Sequence, residues 1–369
     1  MSVQCESGKR ANALKQGLES VTRNRFADLT EGVQFVKDNY TEKIDRVTFI
    51  TENGETEILP NEGQSFSKVT VHVQVESESE SSNIVTGITD FTDFWASDRR
   101  MEIYDIVDTS EAHIFDRALY SNSSAKSPEY MRVTDKALSI ESMFEKSAIT
   151  ELPDEFDISN CENCTSAFKD CQISSFPTNM DFSKAFYMDN TFSRQYGSSI
   201  VTMPKVVDMS NVETANSMCH NARITTFPFT NTGTVTAFRN AFISCWFTNA
   251  ELDLTSCTDM RSCFNNCTML TTLILRNTQN ITPAYWASCF TGCSALINLS
   301  IDYLNAAGNQ IDFSSCTKLS VDSLVNILNA LSDNTSLATT YTVKLGATNL
   351  AKLTAEQKQI ATNKNIALA

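Results

Sequence analysis

Cysteine is the residue type with the most reactive chemistry in this chain, because thiolates bind metals, form disulfides and act as nucleophiles. The sequence has 12 cysteines, of which 11 lie between Cys161 and Cys316. Cys161 and Cys164, with Cys171 close behind, resemble half of a zinc cluster. A structural zinc ion needs four ligands at fixed spacing. The second half is missing and His220 is a poor substitute, so we expect no metal site.

The positions of several cysteines indicate packing instead. Four of them lie three residues after one of the phenylalanines Phe168, Phe242, Phe264 and Phe290: Cys171, Cys245, Cys267 and Cys293. Residues at one place in successive repeats stack, and free cysteine behaves as a small hydrophobe, so we expect a column of buried, reduced thiols. Disulfides are the alternative interpretation. The chain start lacks the basic and then apolar segments of a secretory signal, and structural disulfides are rare in proteins that are not exported.

Catalytic chemistry has little support in the sequence. The three histidines, His72, His113 and His220, lie in unrelated segments. The chain has no Gly-x-Ser-x-Gly motif, phosphate-binding loop or His-Glu-x-x-His motif. Acidic pairs such as Asp154-Glu155 fall on expected turns, whereas a general acid needs a pKa raised by burial. We therefore predict that the protein is not an enzyme and uses no cofactor.

Charge and hydropathy argue against two classes of partner. The net charge is −15, and binding to phosphates needs clustered Lys and Arg, so we expect no nucleic acid partner. No apolar run approaches the length of about 20 residues that spans a bilayer. We therefore expect no membrane insertion.

One unit, repeated from about residue 138 to about residue 320, organises these side chains. Seven aligned copies contain a mostly aromatic residue, here called the knob, at intervals of 24, 24, 27, 23, 22 and 26 residues by subtraction. The knobs are Phe144, Phe168, Phe192, Cys219, Phe242, Phe264 and Phe290. After each knob comes a strand arm, in which two apolar residues flank two mostly small residues. The arms are 149–152, 173–176, 200–203, 224–227, 247–250, 270–273 and 296–299.

A period of about 20 to 29 residues with this apolar pattern is typical of a leucine-rich-repeat solenoid. One copy cannot bury its apolar side alone, and stacked copies bury a continuous core. The predicted fold class is therefore α+β, an irregular leucine-rich-repeat solenoid of short parallel strands stacked in coils. Proline cannot donate a ladder hydrogen bond, so the arms followed by Pro153, Pro177, Pro204 and Pro228 should form short strands. The last copies lack this proline and favour longer strands, at 270–275 and 296–301.

The two inner residues of each arm should lie on the exposed, concave side of the strands. They are Thr150, Glu151, Ser174, Ser175, Val201, Thr202, Thr225, Thr226, Thr248, Asn249, Thr271, Thr272, Ile297 and Asn298. Stacked at about 4.8 Å, they would form a flat, nearly uncharged strip. Two interpretations fit it: a docking face for a glycan or protein, or the ordinary polar face of a solvated sheet, where Thr is favoured. Trp246, Tyr285 and Trp286 are the candidate surface aromatics, with burial as the alternative.

The segments outside the repeats suggest four further regions. Residues 1–76 are predicted as an N-terminal attachment module, helical to about residue 42, with strands at 46–51 and 69–75. Residues 77–83 are acidic and serine-rich, which is typical of a solvated linker. Solenoids need caps to cover their terminal apolar faces. We assign the N-terminal cap to 84–136, the solenoid to 137–319 and the C-terminal cap to 320–369.

The C-terminal cap should contain three elements. A helix begins near Ser320 or Asp322, either of which could cap it. A strand is predicted at 341–345, and a short helix at 355–364.

The repeats resemble the BspA-type leucine-rich repeats of bacterial and phage surface proteins. Asp208-Met-Ser-Asn-Val, followed by Ser217-Met-Cys, is similar to the Asp-Met-Ser-Asn-Val … Met-Phe pattern of that family. The segments that start at Ser262-Cys-Phe and Ser288-Cys-Phe resemble its Phe-x-x-Cys-x-x-Leu-x-x-Leu core. The likeness covers about half of the chain, and Cys219 departs from the pattern where the family has a knob Phe.

Two further segments resemble phage sequences. The stretch from Ile50-Thr-Glu-Asn-Gly to Phe66-Ser-Lys-Val-Thr-Val-His-Val is similar to a β module of virion proteins of phages that infect Gram-positive hosts. The stretch from Leu345-Gly-Ala-Thr-Asn to Lys364 resembles the tail of phage and gut-bacterial repeat proteins.

Together these resemblances imply a phage virion structural protein, a head or tail fibre or decoration protein, that displays the solenoid to a host-surface glycan or protein. Residues 1–76 would contact other virion proteins, and symmetric virion positions imply several copies or a homo-oligomer. Its location would be the virion, assembled in the host cytoplasm. Two further hypotheses are a bacterial adhesin-like surface protein of the same repeat class and a purely structural virion component without an external ligand.

Overall fold

The computed structural model describes residues 2–5, 47–51, 54–58, 69–72, 85–86, 89–92, 96, 109–123, 131–153, 155–194 and 200–369. The chain divides into two compact units, Met1–Cys161 (unit 1) and Glu162–Ala369 (unit 2). As predicted, the protein is of mixed α+β class, with few helices and several short parallel strands among the described residues. No helix in these ranges is long and apolar enough to cross a membrane.

Unit 1 contains a five-stranded antiparallel sheet in the order β3-β2-β1-β4-β5. Its strands are β1 (Ser2–Cys5), β2 (Val47–Thr51), β3 (Gly54–Ile58), β4 (Val69–His72) and β5 (Val85–Thr86). The predicted strands at 46–51 and 69–75 are thus confirmed in their described parts.

The prediction of helix from residue 1 is wrong for Ser2–Cys5, which forms β1. This strand lies between two others, with Val3 facing Phe49 on one side and Val71 on the other. Its partners are far away in sequence, so local periodicity could not identify it. The remaining predicted helices up to residue 42 and the predicted linker at 77–83 lie outside the described residues.

The other described segments of unit 1 include several that pair in parallel. Strands β6 (Arg132–Val133) and β7 (Glu155–Phe156) are parallel neighbours. Parallel bridges link Asp90 to Ile114 and Ile114 to Ser139, which are 24 and 25 residues apart by subtraction. The rings of Phe91 and Phe115 stack at 5.6 Å beside these bridges. Segments one repeat apart are therefore neighbours in space.

Unit 2 repeats this parallel pairing. Its strands are β8 (Ile200–Val201), β9 (Val207–Asp208), β10 (Arg223–Ile224), β11 (Phe229–Thr230), β12 (Asn249–Asp253), β13 (Thr272–Arg276) and β14 (Asn298–Ile301). The pairs β8–β10 and β9–β11 have two residues per strand, whereas β12, β13 and β14 form a three-stranded sheet. Strand length therefore increases where the prolines end, as predicted.

The most regular hydrogen bonding lies around the knobs rather than in the strand arms. We call the segment from two residues before each knob to two residues after it the knob turn. In one copy, the amides of Asn240, Phe242 and Ser244 donate to carbonyls of the next copy at 2.8–2.9 Å. The intervening amide of Ala241 donates within its own copy, to Phe238. Alternate amides thus bind successive copies together.

The first and last residues of the knob turns have positive φ. Short polar side chains and glycine tolerate this left-handed conformation better than branched ones. Complete pairs with φ between 53° and 80° occur at Ser142 and Lys146, Ser166 and Asp170, Ser217 and Asn221, Asn240 and Ser244, Ser262 and Asn266, and Ser288 and Gly292. The same conformation flanks Leu119 at Arg117 and Ser121, inside the range predicted as the N-terminal cap.

All seven predicted knobs are buried, at no more than 1% exposure. In unit 2, Phe168 stacks on Phe192 at 5.7 Å, and Phe242 stacks on Phe264 at 5.6 Å. Phe313, which was not predicted as a knob, stacks on Phe290 at 4.6 Å. The apolar core of unit 2 therefore contains one more aromatic layer than the sequence alignment gave.

The C-terminal region contains the three predicted elements and two more. Helix α1 (Val321–Ala330) begins after Ser320, whose side chain accepts from the Ser323 amide. Strand β15 (Tyr341–Val343) and helix α3 (Ala355–Thr362) follow near their predicted places. Helix α2 (Ala347–Leu350) and strand β16 (Ile366–Leu368), which pairs in parallel with β15, were not predicted.

Candidate binding face

Thirteen of the fourteen predicted strip residues are exposed or half-buried. Thr150 and Glu151 are exposed in unit 1. The other eleven lie in unit 2: Ser174, Ser175, Thr202, Thr225, Thr226, Thr248, Asn249, Thr271, Thr272, Ile297 and Asn298. The outward orientation predicted for the arms is therefore confirmed at these positions.

Val201 is the exception, because it is buried and Ile200 is 54% exposed in its place. In the β8–β10 pair, Val201 faces Ile224 and Ile200 faces Arg223. The first half of this arm is therefore shifted by one residue, so that Ile200 and Val201 exchange faces. Thr202 is exposed and Met203 is buried, as predicted. This copy has the longest interval to the next knob, 27 residues by subtraction, so alignment by spacing misplaced it.

The β12–β14 sheet brings strip residues from three arms into one row. Asn249 faces Thr272, which faces Asn298. The Asn298 amide group donates to the Thr272 hydroxyl at 3.5 Å. In the preceding row, the Thr271 hydroxyl donates to the Thr248 carbonyl at 2.9 Å. The result is a surface of hydroxyl and amide groups that can both donate and accept hydrogen bonds.

On this face of the sheet, a charged residue, Glu251, lies two positions after Asn249 in β12. Glu251 faces Ile274 and Ile274 faces Ser300. The Glu251 carboxylate accepts from Arg276 Nε at 2.7 Å, and both side chains are more than half exposed. The carboxylate and the guanidinium offset each other's charge, so the neighbouring row of Asn249, Thr272 and Asn298 stays close to neutral.

The three candidate aromatics have different positions. Trp246 is 37% exposed, and the Arg223 guanidinium lies over its ring at 4.6 Å from the centroid. Tyr285 is half-buried and carries Arg261 over its ring at 4.6 Å. Trp286 is buried in the core. Of these two candidate tryptophans, Trp246 is therefore the one that can contact a ligand.

The eleven described cysteines are all buried free thiols. The Cys245 thiol donates to the Cys219 carbonyl at 3.2 Å, and the Cys267 thiol donates to the Phe242 carbonyl at 3.0 Å. Burial raises the pKa of Cys267 to about 12. A hydrogen bond with Cys316, together with burial, raises the pKa of Cys293. The Cys267 and Cys293 thiols are therefore protonated at neutral pH and act as packing groups.

Apart from the cysteines, the described side chains that could bind a metal or transfer a proton do not form a cluster. Within the described ranges, no three His, Cys, Asp or Glu side chains are arranged to hold a metal ion. His113 is exposed in unit 1. His220 is half-buried in unit 2, and its pKa is lowered mainly by burial, with the Asp170 charge opposing this.

Sequence reasoning assigned no role to Phe186 and Tyr187, which are 41% and 46% exposed. They lie before the Phe192 knob, where Tyr187 forms parallel bridges with Asn163 and Thr214. The strip residues lie in arms that follow a knob, whereas Phe186 and Tyr187 precede one. This difference in position shows that they are not part of the strip. They provide a second exposed aromatic position on unit 2, outside the β12–β14 sheet.

Neither a protein-family model, nor a curated protein, nor a solved structure matches this chain. No relative therefore supplies a ligand or a site residue by comparison. The resemblance to BspA-type repeats stays a prediction, and the function has to be argued from the chain's own geometry.

Proposed function

We propose that this protein is a virion fibre or decoration protein whose leucine-rich-repeat solenoid binds a host surface through the polar strip. The observation that carries the binding role is the row formed by Asn249, Thr272 and Asn298 on neighbouring strands. Asn249 and Asn298 are exposed and Thr272 is half-buried, so the row is an accessible, uncharged surface on a chain of net charge −15. Such a surface can approach a partner without desolvating unpaired charges.

The repeated pairing supports the solenoid part of the proposal. In unit 2, parallel bridges link Tyr187 to Thr214, Thr214 to Ala237 and Ala237 to Asp259. These intervals are 27, 23 and 22 residues by subtraction, the same as the spacing between the corresponding knobs. A chain whose contacts recur at one sequence interval is typical of a solenoid, in which each repeat contacts its neighbours.

The virion part of the proposal rests on the resemblances in residues 50–73, in the repeats and in residues 345–364. It assigns residues 1–76 to contacts with other virion proteins, in several copies per particle. Immunogold labelling of intact particles with an antibody against unit 2 tests this assignment. Label on intact particles is expected, whereas label only on disrupted particles would favour the purely structural role. A bacterial adhesin-like protein would instead be detected on the cell surface without phage.

The binding role is tested by placing charge on the strip. The full chain with Thr225, Thr226, Thr271 and Thr272 changed to Lys should bind host cells at least about tenfold more weakly, because the new ammonium groups must be desolvated on contact. A matched control adds the same charge at exposed threonines outside the strip: Thr258, Thr282, Thr317 and Thr339. Equal binding by both variants and the unmodified chain would remove the strip from consideration.

A further inference from the structure

One edge of the strip is formed by larger side chains at a constant interval. Ile200, Arg223 and Trp246 follow one another every 23 residues by subtraction. Ile200 faces Arg223 across the β8–β10 pair, and the Arg223 guanidinium covers one face of the Trp246 ring. The three residues are thus consecutive along the edge of the strip, and Trp246 still has 37% of its surface exposed.

The backbone holds Trp246 firmly. Its neighbours Cys245 and Phe247 are both fully buried, and its amide donates to the Ile224 carbonyl at 3.1 Å. Phe247 packs against the Phe242 ring at a centroid distance of 5.8 Å. Because the ring is held by these contacts and by Arg223, little conformational entropy is lost when a ligand contacts it.

Small polar residues continue the surface beyond this ring. Thr248 and Asn249 follow Trp246 in its own arm, and Thr225 and Thr226 follow Arg223 in the preceding one; all four are exposed. None of them carries a charge. A flat aromatic ring beside a row of hydroxyl and amide groups matches a ligand with one apolar face and many hydroxyl groups around its edge.

Two observations favour a polysaccharide over a protein here. Protein interfaces have an apolar centre enriched in aromatic residues and Met, whereas the row Asn249, Thr272 and Asn298 is polar throughout. Successive strands lie about 4.8 Å apart, a step similar in length to one sugar ring. A polymer laid across the strands would therefore present a similar set of hydroxyl groups to each arm.

We propose that Trp246 and the adjacent Thr and Asn side chains bind an uncharged polysaccharide, with one sugar ring on the exposed part of the Trp246 ring. This inference rests on the proposed binding role of the strip and specifies its ligand class. The Thr and Asn groups exchange hydrogen bonds with the sugar hydroxyls. The position of Arg223 over the ring makes it a positioning residue for Trp246.

The full chain is titrated with neutral polysaccharides (mannan, dextran and a β-1,3-glucan) and with the polyuronate alginate, and binding is followed by affinity electrophoresis. We expect retardation by at least one neutral polymer and none by alginate. Trp246→Ala should weaken binding about tenfold or more, because aromatic anchors dominate such contacts. Tyr187→Ala removes an aromatic that is more exposed than Trp246 and lies outside the strip, and it should leave binding unchanged.

Protein fluorescence provides a second readout of the same site. A neutral polymer should change the tryptophan emission of the unmodified chain but not that of the Trp246→Phe variant. The melting temperature of Trp246→Phe shows whether this variant is folded. Arg223→Lys keeps the charge but loses the planar group over the ring, so it should weaken binding less than Trp246→Ala.

Several results would overturn the inference. Retardation by alginate alone would show that charge, not the hydroxyl row, selects the ligand. Binding of a neutral polymer that survives both Trp246→Ala and Thr272→Lys would place the glycan site elsewhere. If no polymer binds but the fourfold Lys variant still loses cell binding, the strip is a docking face for a protein and only the ligand class is wrong. If neither occurs, the proposed function itself fails.

Discussion

The knob turn and the strand arm belong to the same repeats, yet their backbones differ in how much they vary from copy to copy. In the knob turns the backbone conformation recurs from copy to copy, with positive φ at equivalent places such as Ser166, Asn240 and Ser262. The arms vary from two paired residues in β8 to five in β13. The turn fixes how copies stack, and the arm is left free to vary its surface.

The difference has a physical cause. In the knob turn, alternate amides donate to the next copy, so any change of backbone would leave buried donors and acceptors without partners, which costs about 1–3 kcal/mol each. In the arm, the outer side chains face solvent, and most surface substitutions change stability by about 0.5 kcal/mol or less. A binding face can therefore change while the packing is retained.

The largest expected effect comes from removing a knob. Phe242→Ala should lower the free energy of unfolding by about 3–5 kcal/mol, because a buried aromatic is replaced by a cavity. Phe242 is fully buried and its ring contacts those of Phe238 and Phe264. Thr226→Ala, at an exposed position of the preceding arm, should change stability by about 0.5 kcal/mol or less. Denaturant unfolding of both variants measures the difference, and similar losses would contradict the contrast between turn and arm.

A smaller effect is expected from one substitution made in both regions. Asn240 has a φ of 58° in a knob turn, and Asn249 is an exposed strand residue. Asn240→Val should cost about 1–2 kcal/mol, because a β-branched residue is strained in the left-handed region. Asn249→Val should be neutral or slightly stabilising, because β-branched residues favour strands. Thermal unfolding of the two variants should give changes in melting temperature that differ in sign or size. An equal decrease in both variants would argue against the turn conformation.

The smallest effect is a pH dependence at the end of strand β12, at Asp253. Hydrogen bonds from the Thr255 hydroxyl and the Asn277 amide group lower the pKa of Asp253 below its usual 3.8. The ionised form is therefore favoured in the folded state. The contribution of the ionised Asp253 carboxylate to the free energy of unfolding is complete above pH 3.8. It is lost as the pH falls through the lowered pKa.

Asp253→Asn keeps an accepting oxygen but does not titrate. Melting curves from about pH 5 to about pH 2 should show this variant losing less stability than the unmodified chain. Because Asp253 is only half-buried, solvent screens its carboxylate and the difference should be about 0.5 kcal/mol or less. A steeper acid loss in the variant would show that the carboxylate is not stabilised by these bonds.

The spacing of large apolar residues predicted the core well. Every predicted knob is buried, including Cys219, since any residue that faces the shared interior must be apolar whichever copy it belongs to. Proline positions predicted strand length, because proline removes a donor wherever it lies. The cysteine register correctly predicted burial, because a thiol three residues after a knob points into the same interior.

The spacing of apolar residues did not predict strand register or the pairing of segments that are distant in sequence. At the start of the arm 200–203, Val201 takes the place of Ile200 in the interior, whereas Met203 is buried as predicted. The knob turns were missed because Ser and Asn two residues before a knob look like ordinary loop residues, although their short side chains suit positive φ. Strand β1 depends on partners at Phe49 and Val71.

The sequence by itself determined which side chains are buried and how often the pattern recurs, because burial depends on residue type and periodicity. Only the tertiary structure decided which residues stand beside one another on the surface. It placed Arg223 over Trp246 and aligned Asn249, Thr272 and Asn298 in one row. Such neighbours are set by backbone hydrogen bonds between distant segments, and those bonds are formed by groups that every residue shares.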